Sequence, residues 1–385
     1  MTRRRLSWLF PLVGALAATL LFASPGLAAT SGTWTPTTPM EIGRAFFTAN
    51  LLRDGRVLVA GGFNGGSGNV FFKSAEIYDP ATARWTPAAN MHEARAAAVS
   101  VRLPGGRVMV IGGENLTSSA LASVEIYDPR TNTWTETAPM LQGRNEDFVA
   151  VPSVGTSHTH VLVAGGYDEN GNPLAEVETY NVSTNSWSSA TPMNVARGEF
   201  RWVRLNDGRI FAAGGCCDQN GSLSSAEIYD PVAKTWTMTA SMSTGRFDLS
   251  LVKLQNGNVL AAGGGIIDPD TGEATYLASS ETWNPDTGGW TAKGDMTTPR
   301  SEVDQAASLL PDGKVLVPGG FKAVDTPQSD SDVYDPSTGT WSAAGEMSSI
   351  RAGHQGVNLS DGSILVVGGL AEEPVSTPTA DIFTE

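Results

Sequence analysis

The chain has 385 residues, 41% of them apolar, enough to build a sizeable buried core. Its formal charge of −15 argues against nucleic acid and anionic membrane surfaces as partners. Two adjacent cysteines, Cys216 and Cys217, and four histidines offer no C-x-x-C spacing and no zinc-binding pattern.

Arg3, Arg4 and Arg5 precede an apolar run from Leu6 to Phe22 and a small-residue exit, Ser24-Pro25-Gly26-Leu27-Ala28-Ala29. This order predicts a signal peptide over residues 1–29. The run is short for a membrane span. Export would leave a secreted, periplasmic or cell-surface protein with no membrane insertion after leader cleavage. Losing three arginines takes the charge from −15 to −18. In an oxidising compartment Cys216 and Cys217 form a vicinal disulfide, stay as two free thiols, or serve a metal or redox role. Neighbouring Cα atoms lie about 3.8 Å apart, below the usual disulfide separation.

From residue 30 onward one unit recurs. Glycine pairs stand at Gly61, Gly112, Gly165, Gly214, Gly263, Gly319 and Gly368, each followed by a second glycine. Tryptophans stand at Trp34, Trp85, Trp134, Trp187, Trp236, Trp290 and Trp341. Residues 95–140 display the unit. Arg95–Leu103 is short and apolar and suits strand a. Pro104-Gly105-Gly106 makes a turn, and Arg107–Ile111 makes strand b, ended by Gly112-Gly113. After a loop, Ser123–Tyr127 forms strand c. Asp128–Asn132 turns the chain, and Thr133–Glu136 forms strand d before Pro139-Met140. No stretch carries a 3.6-residue apolar period, so the chain reads as all-β.

The repeat is split at the ends. The first tryptophan segment, S-G-T-W-T-P-T-T-P-M, has no glycine pair before it, and the last glycine pair is followed only by A-D-I-F-T-E. A closed ring explains the split: Ser31–Met40 supplies strand d to the final unit and pairs with Thr379–Glu385.

G-G, E-x-Y-D-P and T-x-W, in that order and seven times, resemble the kelch repeat. The D-G-R-V-L-V-A-G-G style of strand b is similar to the galactose oxidase/kelch propeller superfamily. The resemblance implies a secreted, bacterial-type, seven-bladed kelch-type β-propeller over residues 30–385. Its blades would lie at 44–91, 95–140, 144–193, 197–242, 246–296 and 300–347, with the seventh from 351–385 plus 31–40. The period of roughly 51 residues matches the kelch period of about 50.

In such a meander the a–b and c–d turns share one face, and the variable b–c loops share the other with the d–a links. Binding is expected on the variable face, at the central opening. Every unit has an arginine at the entry to strand a: Arg44, Arg95, Arg144, Arg197, Arg246, Arg300 and Arg351. An acid follows two residues later at Glu146, Glu199, Asp248 and Glu302. Asp147, Arg201, Asp304 and His354 lie beside them. The binding candidates are Arg144, Glu146, Arg197, Glu199, Arg201, Asp248, Arg300, Glu302, Asp304, Arg351 and His354. A competing reading pairs each arginine with the strand-c acid, Glu76, Glu125, Glu178, Glu227, Glu281, Asp332 or Asp381, as a repeated structural ion pair. The loop aromatics Phe63, Phe71, Phe72, Tyr167, Tyr276 and Phe321 are either sugar-stacking platforms or loop anchors. Asp168-Glu169-Asn170-Gly171, Asp218-Gln219-Asn220-Gly221 and Asp268–Gly272 read as turns rather than calcium loops.

Galactose oxidase chemistry needs copper held by two histidines and tyrosine ligands, one cross-linked to cysteine. His92, His158, His160 and His354 do not supply that set, so no metal and no cofactor is implied. The bacterial sialic acid epimerase of the kelch class works with arginine and glutamate but is built from six repeats. The expected function is a secreted, monomeric, non-catalytic module binding a glycan or an extracellular protein. The alternative is a sugar-modifying enzyme of the epimerase type.

Overall fold

The computed structural model describes residues 32–66, 68–146, 148–152, 160–216, 221–303, 306–372 and 374–385. Seven antiparallel sheets follow one another around an axis. Blade 1 runs Thr48–Leu51, Val57–Ala60, Ala75–Asp79 and Arg84–Ala88, paired in that order as strands a to d. Blades 2 to 5 repeat the order. In blade 6 strands c and d are longer, Thr326–Asp335 and Thr340–Arg351. Blade 7 takes strands a to c from Gln355–Asn358, Ile364–Val367 and Ala380–Thr384, and strand d from Thr33–Thr37. The closing pair is antiparallel, with Trp34 opposite Phe383 and Thr33 opposite Thr384. The ring is therefore shut by the N-terminal strand, and the fold is a seven-bladed all-β propeller.

Strand b is buried on both faces, and its alternating side chains feed two different cores. Val57 and Val59 pack toward blade 7, while Leu58 and Ala60 pack toward blade 2. Seven such clusters fill the seven junctions between blades. On the outer side the strand-c aromatic lies opposite the strand-d tryptophan. Tyr78–Trp85, Tyr229–Trp236 and Trp34–Phe383 have ring centroids 5.0, 5.0 and 5.1 Å apart. The indole N–H of Trp134 donates to the Ala89 carbonyl and that of Trp187 to Ala138, so each ties its blade to the link before it.

The glycine pairs sit where blades touch. Gly113 has φ of 95°, and a Cβ there would strike the Ala96 carbonyl oxygen. Only glycine supplies that approach without strain. Beyond the glycine pairs the b–c segments differ. Blades 1, 5 and 7 raise small hairpins, Phe63–Asn64 with Val70–Phe71, Gly265–Ile267 with Ala274–Tyr276, and Leu370–Glu372 with Val375–Ser376. Blade 6 does the same with Phe321–Ala323 against the start of Thr326–Asp335. The hairpins thus stand on four consecutive blades, 5, 6, 7 and 1. The face bearing b–c segments and d–a links is termed the loop face, the other the turn face.

Candidate functional site

The strand-entry arginines lie inside the blades. All seven are 0–1% exposed. Arg197 shows the pattern: Nη1 donates to the carbonyls of Gly214 and Ser225, at 2.7 and 3.1 Å, and Nη2 to Ser225 Oγ and to Glu227 Oε1, at 3.1 and 2.8 Å. The six other pairs are Arg44–Glu76, Arg95–Glu125, Arg144–Glu178, Arg246–Glu281, Arg300–Asp332 and Arg351–Asp381. The same acid accepts backbone N–H groups from the preceding d–a link. Glu227 takes those of Asn194 and Val195, and Glu76 those of Glu41 and Ile42. The pair is thus a staple between a blade and the link that enters it. This corrects the binding reading of Arg144, Arg197, Arg300 and Arg351, which face the blade interior rather than a ligand. Burial holds the guanidiniums of Arg44, Arg95, Arg144, Arg197 and Arg246 below their ordinary range, and that of Arg351 down to about 10, against the pull of the paired carboxylates.

Two residues after each arginine the backbone turns left-handed. Phe46, Ala97, Glu146, Glu199, Asp248 and Glu302 have φ between 46 and 53°, and Gly353 has 58°. Backbone hydrogen bonds join these positions from blade to blade: Ala97 N–H to Phe46 O, Phe46 to Gly353, Gly353 to Glu302, and Asp248 to Glu199. They form a ring around the central opening on the loop face. A non-glycine residue in this conformation costs roughly 1–2 kcal/mol, so the surrounding bonds must impose it. The ring is chemically lopsided. Blades 3 to 6 contribute Glu146, Glu199, Asp248 and Glu302. Blades 7, 1 and 2 contribute Gly353, Phe46 and Ala97, with the Phe46 ring lying over Gly353. Arg201 reaches Asp248 at 3.5 Å, the two side chains 13 and 7% exposed. Of the predicted site, the structure therefore brings Glu146, Glu199, Arg201, Asp248 and Glu302 to the mouth. Asp304, Asp147 and Cys217 lie outside the described residues, and Cys216 is disulfide-bonded.

His354 does not belong to the mouth either. It is fully buried at the junction of blades 6 and 7, against Gly319 and Gly369. Its counterparts against the glycine pairs of other blades are Phe47, Phe148, Phe200, Leu249 and Val303. The histidine occupies an apolar wedge position. Burial first, then the nearby Arg351 and Arg300, hold its pKa well below the ordinary 6.5, the Pro318 carbonyl pulling the other way.

The loop aromatics are anchors. Phe63 packs on Phe71 at 5.2 Å, Tyr276 stacks on Phe321 at 6.5 Å, and Arg44 lies over Phe72. Tyr167 and Phe321 are buried. The oxygen-rich turns hold themselves. Asp168 accepts N–H groups of Asn170 and Asn172, and Asp268 those of Asp270 and Thr271. Asp218 lies outside the described residues.

These features define a seven-bladed β-propeller, part of which matches the kelch motif. The kelch motif matches residues 51–92, 95–141, 152–194 and 205–243. Over 67 residues, 17% of this chain, the sequence is 40% identical to an F-box/kelch-repeat protein of Arabidopsis thaliana, and the match spans 16% of that relative's length. A solved structure titled YjhT superposes with a TM-score of 0.61 at 16% identity, covering 80% of this chain and 99% of that one. A fungal alcohol oxidase of the AA5 family, solved in complex with copper, gives 0.71 at 18% identity, covering 92 and 76%. At such identities the likeness is one of fold.

Among the described residues no donor set fits the copper of that oxidase, and His158 lies outside them. Among the described residues no three His, Cys, Asp or Glu side chains are grouped to hold a metal ion. His92 hydrogen-bonds to Glu125 at a link. His160 opens strand b of blade 3 at the turn-face end. His354 faces two guanidiniums, which oppose a cation.

Proposed function

We propose that this protein is an exported, non-catalytic recognition module that binds an extracellular protein or a glycan through its loop face. The observation that carries this reading is where apolar surface remains uncovered. Among the described residues eight large apolar side chains are exposed, and Val70, Leu116, Leu141, Val324, Ile350 and Val375 all belong to the loop face. Val232 in a c–d turn and Met238 on an outer strand are the other two. Exposed apolar groups concentrated on one face of a rigid scaffold mark an interaction surface. The test screens the full chain against a glycan array and a displayed peptide library. Saturable binding that is lost in Leu116→Ser/Val375→Ser, with the melting temperature unchanged, supports the module. Binding indifferent to that change removes the loop face from the account.

A second reading has one observation in its favour. Glu146, Glu199, Glu302 and Arg201 gather at one opening, a metal-free acid–base and anion-holding set. A sugar-modifying enzyme of the epimerase type would use it. NMR of sialic acid anomers with the protein would reveal accelerated interconversion, abolished by Glu199→Gln.

A further inference from the structure

We infer that the ligand of the loop face is a protein segment carrying lysine or arginine among apolar side chains. This rests on the recognition reading above and names the chemistry of its partner. Its basis is the way charge and apolar surface divide the molecule. The seven buried Arg–acid staples cancel one another and lie inside. In the b–c segments and d–a links, the remaining described charged side chains are fifteen carboxylates against three cations, Lys73, Lys293 and Lys322. In the a–b and c–d turns there are five carboxylates against seven cations. The negative charge is thus densest on the face that also holds the uncovered apolar groups, and a partner there meets an acidic field.

Within that face the two properties separate. The acids of the ring, Glu146, Glu199, Asp248 and Glu302, come from blades 3 to 6, with Arg201 lying against Asp248. The exposed tips Val324, Val375, Val70 and Leu116 stand on blades 6, 7, 1 and 2. A segment crossing the mouth would place a cationic side chain over the acidic half and apolar ones against the tips. Glycans lack the matching positive charge, and acidic peptides are repelled.

The experiment pans a random peptide library displayed on phage against the full chain, with a glycan array in parallel. Enriched peptides should carry Lys or Arg next to Leu, Ile, Val or Phe. A synthetic peptide of that sequence should lose at least tenfold in affinity between about 0.05 and 0.5 M NaCl, as screening predicts. It should lose at least fivefold in Val324→Ser/Val375→Ser, whose exposed sites leave folding intact, and similarly in Glu199→Gln. Enrichment of acidic or uncharged peptides, affinity indifferent to salt, or affinity indifferent to the valine changes overturns the inference. Glycan binding alone, lost in the loop-face variants, also overturns it while leaving the recognition reading in place. Silence on both screens sinks both.

Discussion

Arg197 donates four hydrogen bonds within its own blade and leaves its Nε without a partner, as do the six arginines equivalent to it. Such a buried pair costs desolvation, and breaking it by removing one partner costs more. Arg197→Met should destabilise the protein by about 3–5 kcal/mol in denaturant unfolding. Arg197→Met/Glu227→Leu should not recover the whole loss, because the amides of Asn194 and Val195 would then have no acceptor. Full recovery would show that the link does not depend on the staple. His354 makes the other residue-scale prediction. Its folded pKa is depressed, so the unfolded chain takes up a proton first as pH falls below about 6.5. Its contribution is fully present above that pH and is lost below it, at about 1.4 kcal/mol per pH unit while the folded imidazole stays neutral. His354→Phe places there the side chain that blades 1 and 4 already use, and stability should fall less steeply between pH 6.5 and 5. An unchanged slope would refute the assignment. The pairing of each arginine with a strand-c acid was legible in the sequence, since both recur in fixed register. The position of His354 was not. Its charge-bearing type suggested the mouth, whereas its place three residues after Arg351 matches Phe47 and Phe200, three after Arg44 and Arg197. The left-handed ring was equally hidden, because Phe, Ala and Glu rarely take that conformation and only Asp248 and Gly353 hinted at it.

At the scale of elements, the split repeat correctly marked the closing strand. Thr33–Thr37 pairs along its whole length with Ala380–Thr384, and Trp34 completes the aromatic pair of blade 7. Deleting residues 31–40 should destabilise the protein, since it removes the partly buried Trp34 from the core between blades 6 and 7. It should also expose the edge of strand c and promote aggregation. A truncated chain that melts like the full one would mean that the ring does not need this strand. The four loop hairpins were not legible. Their segments share no motif, and short strands such as Phe63–Asn64 depend on support from neighbouring blades rather than on local pattern. Gly65, for instance, hydrogen-bonds to Pro374 of the adjoining blade 7 hairpin.

For the whole molecule the repeat has two consequences that pull apart. Symmetry fills the interior with near-identical staples, wedges and aromatic pairs, so the seven strand-entry arginines, the glycine pairs and the strand-d tryptophans are scaffold. Whatever distinguishes one side of the disc from another must come from residues that break the repeat. Here those are the ring acids of blades 3 to 6, the hairpin tips of blades 6, 7 and 1, and the loop of blade 2. Their uneven spread gives the opening an acidic half and an apolar half, which a perfectly sevenfold surface could not have.

The pairing of Thr33 with Thr384 also determines how the molecule is held. Both strands reach their outer ends at the turn face, where Glu385 meets Asp312 of an a–b turn. A tether joined at Glu385 therefore leaves from the side opposite the loops, and a protein immobilised through its C-terminal strand presents its acidic, apolar-tipped face outward to whatever passes in solution.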